Sequence, residues 1–412
     1  MARCRWAAVA GVALALLSGP AAARSDAAPA RRAAPEHTLI TPPAPRRVQL
    51  GTAVRLAALR SDGRYRETFL REFDALTPEN EMKMQALQPR PGVFDFSAAD
   101  ELVAFAAEHG KRVRGHALVW SLQLPLWLVE RGMTHDIGLK LPPLAAPSLG
   151  AAAGGLLSAA TGWRREELLA TMRRHIDTVV RHFADDVLEW DVVNEPLAAD
   201  GGLADSVWRR FIGDDYVEQA LRFARAANPR ARLFINEYGV EGPGAKLDGL
   251  VALVRDLRAR NVPLDGVGLQ THTHIEGFHD EATLRATMRR LAALGVELQI
   301  TEMDVGTSLI GGTVAGERLE RQAAAYGAAA RACRAVRACT RLTTWGFTDR
   351  YSWLGPAEMA LPFDARLRPK PAYDAIRSAL RGRSARDARR LRRVLRTPGR
   401  RRVGVRQAAG PA

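Results

Sequence analysis

The fold is decided by the stretch Val187-Leu188-Glu189-Trp190-Asp191-Val192-Val193-Asn194-Glu195-Pro196, a run of β-forming residues that stops on a carboxylate. A second run of the same kind, Val296-Glu297-Leu298-Gln299-Ile300-Thr301-Glu302-Met303-Asp304, places Glu302 107 residues after Glu195. Such runs are typical of buried strands that emerge into a cleft. One glutamate in this position is usually only a solvated strand end. Two of them predict the carboxylate pair that glycoside hydrolysis requires, one protonated and one ionised.

From Val48 onward, β-forming runs alternate with longer amphipathic stretches. The predicted strands are Val48–Val54, Ala75–Thr77, Arg112–Val119, Val187–Val193, Arg232–Ile235, Gly266–Gln270, Val296–Thr301 and Leu342–Phe347. The predicted helices between them include Ala98–His109, Arg165–His182, Val217–Ala227, Leu247–Arg260 and Glu281–Leu294. This alternation predicts a parallel sheet closed into a single α/β (β/α)8 TIM barrel over residues 46–380. A doubly wound open sheet is the alternative, but no glycine-rich phosphate loop follows a predicted strand.

Polar side chains and one tryptophan gather where these strands end. They are Glu79, Asn80, Lys83, His116, Asn194, Glu195, Asn236, Gln270, His272, Glu302 and Trp345. The carboxyl ends of all strands in a barrel face the same rim, where active sites lie. We therefore predict one cleft that contains all of these residues.

One segment interrupts the alternation after the third predicted strand. Residues 132–162 are of low complexity, and Leu141–Ala160 contains no charged residue. An uncharged stretch of this length would suit a membrane span. Its three prolines and several glycines disfavour a continuous helix, so we predict a long loop insertion at the catalytic rim.

The amino-terminal residues predict export. Arg3 and Arg5 precede the apolar run Trp6–Leu17 and the small residues Ala21-Ala22-Ala23, a pattern typical of a secretory signal peptide over residues 1–23. A short membrane anchor is the alternative. Residues 24–45 are rich in Pro and Ala and predict a flexible leader. The expected location is secreted or periplasmic, with no stable membrane span after signal removal.

The net charge of +15 is concentrated at the ends of the chain. Residues 381–412 hold twelve Arg and one Asp, a charge of +11, and Arg3 and Arg5 add two more, so residues 24–380 carry only +2. Few large apolar residues occur in the tail, which predicts a disordered segment. The basic balance therefore does not indicate a nucleic-acid partner, because the body contains no accompanying binding motif.

Three cysteines occur, and Cys4 would leave with the signal. Cys333 and Cys339 remain, and an even pair in an exported chain suggests a disulfide, with two unpaired buried thiols as the alternative. Their spacing does not suit a metal site. We expect no metal and no cofactor.

Several motifs resemble, in order and spacing, the xylanases of glycoside hydrolase family 10. The resemblance extends from about Gln49 to Ile376. Its motifs are Gly51-Thr52-Ala53-Val54, Thr77-Pro78-Glu79-Asn80-Glu81-Met82-Lys83, Gly115-His116-Ala117-Leu118-Val119-Trp120, Trp190 to Pro196, Gln270-Thr271-His272, Ile300 to Asp304, Trp345 to Trp353 and Pro369-Lys370-Pro371-Ala372-Tyr373. The resemblance implies a secreted retaining endo-1,4-β-xylanase whose partner is xylan or xylo-oligosaccharide, and we expect a monomer.

The resemblance also implies catalytic roles. Glu195 would be the acid/base and Glu302 the nucleophile, with their carboxyls ~5–5.5 Å apart. An ionised Glu302 nearby would favour the protonated form of Glu195, which then begins the reaction as an acid. His272 and Asp304 would orient the nucleophile, and Asn194 would donate to the sugar 2-hydroxyl.

Further matching residues imply how the sugar is held. The substrate-binding set is Glu79, Asn80, Lys83, His116, Trp120, Asn194, Gln270, His272, Trp345 and Trp353, supported by Asp304 and Asn236. The aromatic members offer flat apolar faces that pack on pyranose rings. Cys333 and Cys339 lie where many family members carry a disulfide, and the resemblance favours that bond.

Two positions depart from the family pattern. Ser121 replaces a histidine in the usual Trp-His-Ser-Gln after the third strand, which removes a ring that both donates and accepts hydrogen bonds. Met84 stands where a tryptophan usually follows Lys83. The alternatives to a xylanase are a related retaining glycosidase acting on short xylo-oligosaccharides or another β-1,4-glycan, and a weakly active or non-cleaving carbohydrate-binding barrel.

Overall fold

A computed structural model of the chain describes residues 48–133, 162–307 and 315–382. The strands are β1 (Gln49–Val54), β2 (Ala75–Pro78), β3 (Arg112–Val113), β4 (Gly115–Val119), β5 (Glu189–Asn194), β6 (Arg232–Glu237), β7 (Gly266–Leu269), β8 (His272–His274), β9 (Glu297–Gly306) and β10 (Cys339–Thr344). The helices are α1 (Leu56–Ser61), α2 (Gly63–Glu72), α3 (Met84–Leu87), α4 (Ser97–Glu108), α5 (Leu126–Met133), α6 (Arg165–His182), α7 (Val207–Ile212), α8 (Tyr216–Ala227), α9 (Ala245–Ala259), α10 (Glu281–Ala292), α11 (Ala315–Ala335) and α12 (Pro371–Leu380).

Every pairing between these strands is parallel, and one stretch of chain closes the sheet. The order is β3-β2-β1-β10-β9-β7-β6-β5-β4, with β8 pairing to β9. The two outer members, β3 and β4, are consecutive in the chain and are separated only by Arg114. One half of the stretch pairs with β2 and the other half with β5. This closure confirms the predicted TIM barrel.

Most strand bounds differ from the prediction by one or two residues, β8 was not predicted, and three differences are larger. The third predicted strand is divided at Arg114, whose side chain lies in the barrel interior. β9 continues to Gly306, so Glu302 lies inside a strand and not at its end. β10 begins at Cys339 and ends at Thr344 because the chain turns at Gly346, which has a φ of 88°.

Helix α6 shows how the outer layer attaches to the sheet, and its bounds match the prediction. Its buried residues recur with helical spacing, as at Leu168, Met172, Ile176 and Val179. Acidic residues in the first turn and basic residues in the last turn complement the helix dipole. The helix thus buries one apolar stripe against the strands and exposes a polar face.

Some predicted segments fall outside the described residues. These are the signal peptide over 1–23, the leader over 24–45, nearly all of the insertion over 132–162 and nearly all of the tail over 381–412. Within the described part of the chain, no helix combines the length and apolar character that crossing a membrane requires.

A disulfide joins Cys333, near the end of α11, to Cys339 at the start of β10. Both cysteines are buried. The structure therefore favours the disulfide over two unpaired thiols. The bond fixes the turn between the last helix–strand pair of the barrel.

Replacing both cysteines by serine should lower the free energy of unfolding by about 2 kcal/mol, because the bond closes a short loop and restricts the unfolded chain. Chemical denaturation of the variant and of wild type, with and without reductant, measures this. Turnover by the folded variant should match wild type, since Cys339 lies opposite Leu298 on β9, four residues before Glu302. Equal denaturation midpoints for oxidised wild type and the variant would contradict the prediction.

Candidate active site

Glu195 and Glu302 are joined by a continuous chain of amide hydrogen bonds. Gln270 donates through Nε2 to Oε1 of Glu195 at 3.0 Å and to Oδ1 of Asn194 at 3.3 Å. Asn236 donates through Nδ2 to the same Asn194 oxygen at 2.8 Å and to Oε1 of Glu302 at 2.6 Å. The structure therefore brings together all five of these predicted residues. The shared amides fix the two carboxylates relative to each other.

Gly268 leaves room for this series of amide hydrogen bonds. Gly268 of β7 lies opposite Asn236 of β6, and a Cβ on Gly268 would lie 2.2 Å from Oδ1 of Asn236. That oxygen accepts from the hydroxyl of Thr301 at 2.6 Å, so the amide orientation is determined. The glycine is required by the space that the Asn236 side chain occupies.

Glu302 is buried and receives hydrogen bonds on both oxygens. His272 donates from Nε2 to Oε2 of Glu302 at 3.1 Å and from Nδ1 to Asp304 at 2.9 Å. Burial opposes the charge on His272, but Asp304 and Glu302 together outweigh burial and raise the pKa of His272 to about 10. The imidazolium thus persists at neutral pH. Asn236 donates a hydrogen bond to the other oxygen of Glu302.

The pKa of Glu302 lies below its ordinary value. Burial opposes ionisation, but the electrostatic attraction of His116 and the hydrogen bond from His272 outweigh burial. The side chain is only 5% exposed, so these neighbours act with little screening by water. A buried ionised carboxylate at this position has the properties of a nucleophile.

A second histidine–carboxylate pair, His116 with Asp191, lies beside the first. The sequence did not lead us to predict Asp191 as a site residue. His116 Nδ1 is 3.1 Å from Asp191 and 3.9 Å from Oε1 of Glu302. Arg114 donates through Nε to Asp191 at 2.9 Å, and both side chains are almost fully buried. Burial opposes ionisation of Asp191, but Arg114 and His116 lower its pKa. A charged residue inside an apolar strand was the signal available in the sequence.

Glu195 is in a different environment from Glu302. It is only partly buried, and Trp120 donates through Nε1 to its Oε2 at 2.9 Å. The indole and the Gln270 amide therefore hold one oxygen each. This carboxyl keeps access to solvent and to a leaving group.

The remaining predicted residues form the walls beside the glutamates. Lys83 lies 5.0 Å from the Trp120 ring centre and 5.6 Å from that of Trp345, and its amine is 3.5 Å from Asn80. Burial lowers the pKa of Lys83, against the effect of Glu302. Glu79 accepts from Arg55 at 2.8 Å, an arginine that the sequence interpretation did not include.

Trp353 is 53% exposed although its Nε1 donates to Asp304 at 2.8 Å. Its ring meets the His272 ring edge to face, with centres 5.4 Å apart. Trp345 is buried and packs edge to face against both His116 and His272. The exposed indole of Trp353, held by the same Asp304 carboxylate that binds His272, offers a flat face for a sugar.

The two departures from the family pattern have different surroundings. Met84 begins α3 and belongs to the apolar core, with 4% exposure. Ser121 is partly exposed and follows Trp120, whose carbonyl accepts from Trp208 at 2.8 Å. The change at Met84 therefore affects core packing, whereas the change at Ser121 is adjacent to Trp120, which donates a hydrogen bond to Glu195. Among the described residues, no group of three or more His, Cys, Asp or Glu is placed to hold a metal ion.

Comparison with known proteins identifies the family of the chain. The family model "Glycosyl hydrolase family 10" matches residues 43–379. An endo-1,4-beta-xylanase from Agaricus bisporus is 35% identical over 74% of this chain and 82% of its own length. Endo-1,4-beta-xylanase B from Thermotoga neapolitana is 37% identical over 77% of this chain and 83% of its own.

Solved structures agree with the sequence relatives. Native xylanase 10B from Thermotoga maritima superposes with a TM-score of 0.71 at 34% identity, covering 82% of this chain and 96% of that one. Xylanase 10B from Thermotoga petrophila, solved in complex with xylobiose, gives the same score and identity over 82% and 95%. The chain therefore belongs to glycosyl hydrolase family 10 and is a glycoside hydrolase.

Proposed function

We propose that the protein is a secreted, retaining endo-1,4-β-xylanase that cleaves internal bonds of xylan through a covalent glycosyl-enzyme. The observation that carries the proposal is the hydrogen-bond chain from Glu195 through Gln270, Asn194 and Asn236 to Glu302. It holds one buried and one accessible carboxylate beside aromatic walls. Secretion is supported by the composition of residues 1–23.

In the proposed reaction, the ionised Glu302 attacks the anomeric carbon while Glu195 protonates the departing oxygen. The glycosyl–oxygen bond to the leaving group breaks as the bond to Glu302 forms. Glu195, now ionised, then takes a proton from water, which attacks the same carbon and releases Glu302. This two-step mechanism requires the two carboxyl groups to lie ~5–5.5 Å apart, the separation expected when the anomeric configuration is retained.

The xylan specificity is supported by the relatives, which are named as xylanases and of which one was solved with xylobiose. The second candidate function is a preference for short xylo-oligosaccharides, and it concerns Ser121, which follows the Trp120 that binds Glu195. Product analysis after incubation with xylan, cellulose and xylo-oligosaccharides separates the two. Internal cleavage of xylan is expected. Cleavage of short xylo-oligosaccharides without cleavage of xylan would favour the second candidate. Cleavage of cellulose alone would contradict both candidates.

Glu302→Ala should abolish turnover on every substrate, because no covalent intermediate forms without the nucleophile. Glu195→Ala should behave differently with aryl xylosides that have good leaving groups. Their first step needs little proton donation, so the intermediate should accumulate. Azide needs no general base and should restore turnover with a β-xylosyl azide as product. Equal inactivation by both substitutions, without azide rescue, would contradict this assignment of roles.

His272→Asn should move the acidic limb of the pH profile to higher pH. The hydrogen bond from His272 helps to lower the pKa of Glu302, and activity is lost as pH falls through that pKa. Without His272 the pKa rises, so protonation inactivates the nucleophile at a higher pH. The profile of kcat/KM on an aryl xyloside measures this. An unchanged acidic limb with reduced kcat would show that His272 only contacts the sugar.

Ser121→His should change turnover or substrate preference while leaving the melting temperature nearly unchanged. The Ser121 side chain is partly exposed and follows Trp120, so the histidine ring can be accommodated at the catalytic rim without disturbing the core. Kinetics on xylan and on xylotriose, together with thermal unfolding, measure both effects. Met84→Trp is the contrasting variant, because overpacking a buried site costs about 1–3 kcal/mol. An effect of Ser121→His on stability alone would show that Ser121 is a packing residue.

A further inference from the structure

Glu195 occupies a strained backbone position that the neighbouring strand β6 holds at two points. Its φ of 55° lies in the left-handed region, which is costly for a residue other than glycine unless its surroundings fix it. The Glu195 N–H donates to the carbonyl of Asn236 at 2.8 Å. Two residues further along, the N–H of Leu197 donates to Oε2 of Glu237 at 2.9 Å. One main-chain and one side-chain acceptor thus bracket the turn that carries Glu195.

The second of these acceptors is a fully buried carboxylate with a buried counter-charge. Lys246 of α9 lies 2.8 Å from Oε1 of Glu237, and the N–H of Tyr238 donates to the same oxygen at 3.0 Å. Lys246 is 7% exposed and lies 3.2 Å from the centre of the Tyr238 ring. Burial raises the pKa of Glu237 to about 7, and the hydrogen bond from Lys246 opposes that rise. The anionic acceptor therefore depends on the lysine.

We propose that Glu237, together with Lys246, is a positioning residue that fixes the turn carrying Glu195 and thereby aligns its proton donation. The inference rests on the proposed function, because that function gives Glu195 the acid/base role. A displacement of about 1 Å in a catalytic group costs on the order of 100-fold in rate. The resulting loss should depend on the leaving group, since only poor leaving groups need the proton in the first step.

Two double variants separate anchoring from charge. Glu237→Leu with Lys246→Met removes the acceptor and the cation together, so that no unpaired charge remains buried. Glu237→Gln with Lys246→Met also removes both charges but keeps a carbonyl oxygen for the Leu197 N–H. The measured quantity is kcat/KM, which reports the first chemical step, on xylohexaose and on 2,4-dinitrophenyl β-xylobioside.

The Leu/Met variant should lose on the order of 10–100-fold on xylohexaose and much less on the dinitrophenyl substrate. The Gln/Met variant should recover most of the loss. Equal losses on the two substrates, or no recovery with glutamine, would overturn the positioning role. If the Leu/Met variant does not fold, Glu237→Met with Lys246→Met serves, because a flexible thioether fills similar space without restoring a strong acceptor for the Leu197 N–H. The same division between substrates is then expected, and equal losses would again overturn the role.

The matched control is the buried pair formed by Lys370 and Asp349, whose amine and carboxylate lie 3.0 Å apart. Lys370→Met with Asp349→Leu removes the same chemistry elsewhere in the barrel and should affect both substrates alike. A division between substrates in this control would show that any buried pair produces it, and would also overturn the inference. Wild type that cleaves no xylo-substrate would instead contradict the proposed function.

Discussion

The carboxylate of Glu302 is buried, and in the proposed reaction it must nevertheless be ionised to attack a sugar. Burial alone would favour its protonated form, so the charge depends on neighbours that other strands supply. Asn236 comes from β6, His272 from β8 and His116 from β4. Each arrives from a separate strand, and the three meet only because the sheet closes. The ionised state of Glu302 therefore depends on the whole barrel.

The segment that closes the barrel also carries charged groups that act on Glu302. The strand that joins the two ends of the sheet is divided at Arg114, whose guanidinium lies inside the barrel on Asp191 and also donates to Gln299 at 2.8 Å. Asp191 in turn holds His116 beside Glu302. A buried ion pair contributes little net stability once desolvation is counted, but removing one partner is costly. We infer that this pair mainly determines where the His116 ring lies.

The parts that could be predicted from sequence are those that recur in order along the chain. Strand-ending polar residues and the alternation of elements led to the barrel and to the residues around Glu195 and Glu302. The role of Asp191 could not be read in the same way, because which face of a strand points inward depends on register and on the irregularity between Asp191 and Val193. The extension of β9 beyond Glu302 was missed for a related reason, since continued pairing with β8 is a tertiary contact.

Backbone strain was equally invisible in the sequence, and it is found at the active site. Thr271, between Gln270 and His272, has a φ of 62°, which a β-branched residue rarely adopts. Its N–H donates to Oε1 of Glu241 at 2.7 Å, as the N–H of Leu197 donates to Glu237. Both carboxylates come from the end of β6 and the segment that follows it. The end of β6 and the loop after it therefore contact the turn that carries Glu195 on one side and the turn between Gln270 and His272 on the other. Strain at such positions persists only where the surroundings fix it, and the carboxylates of Glu237 and Glu241 are among the groups that fix these two turns.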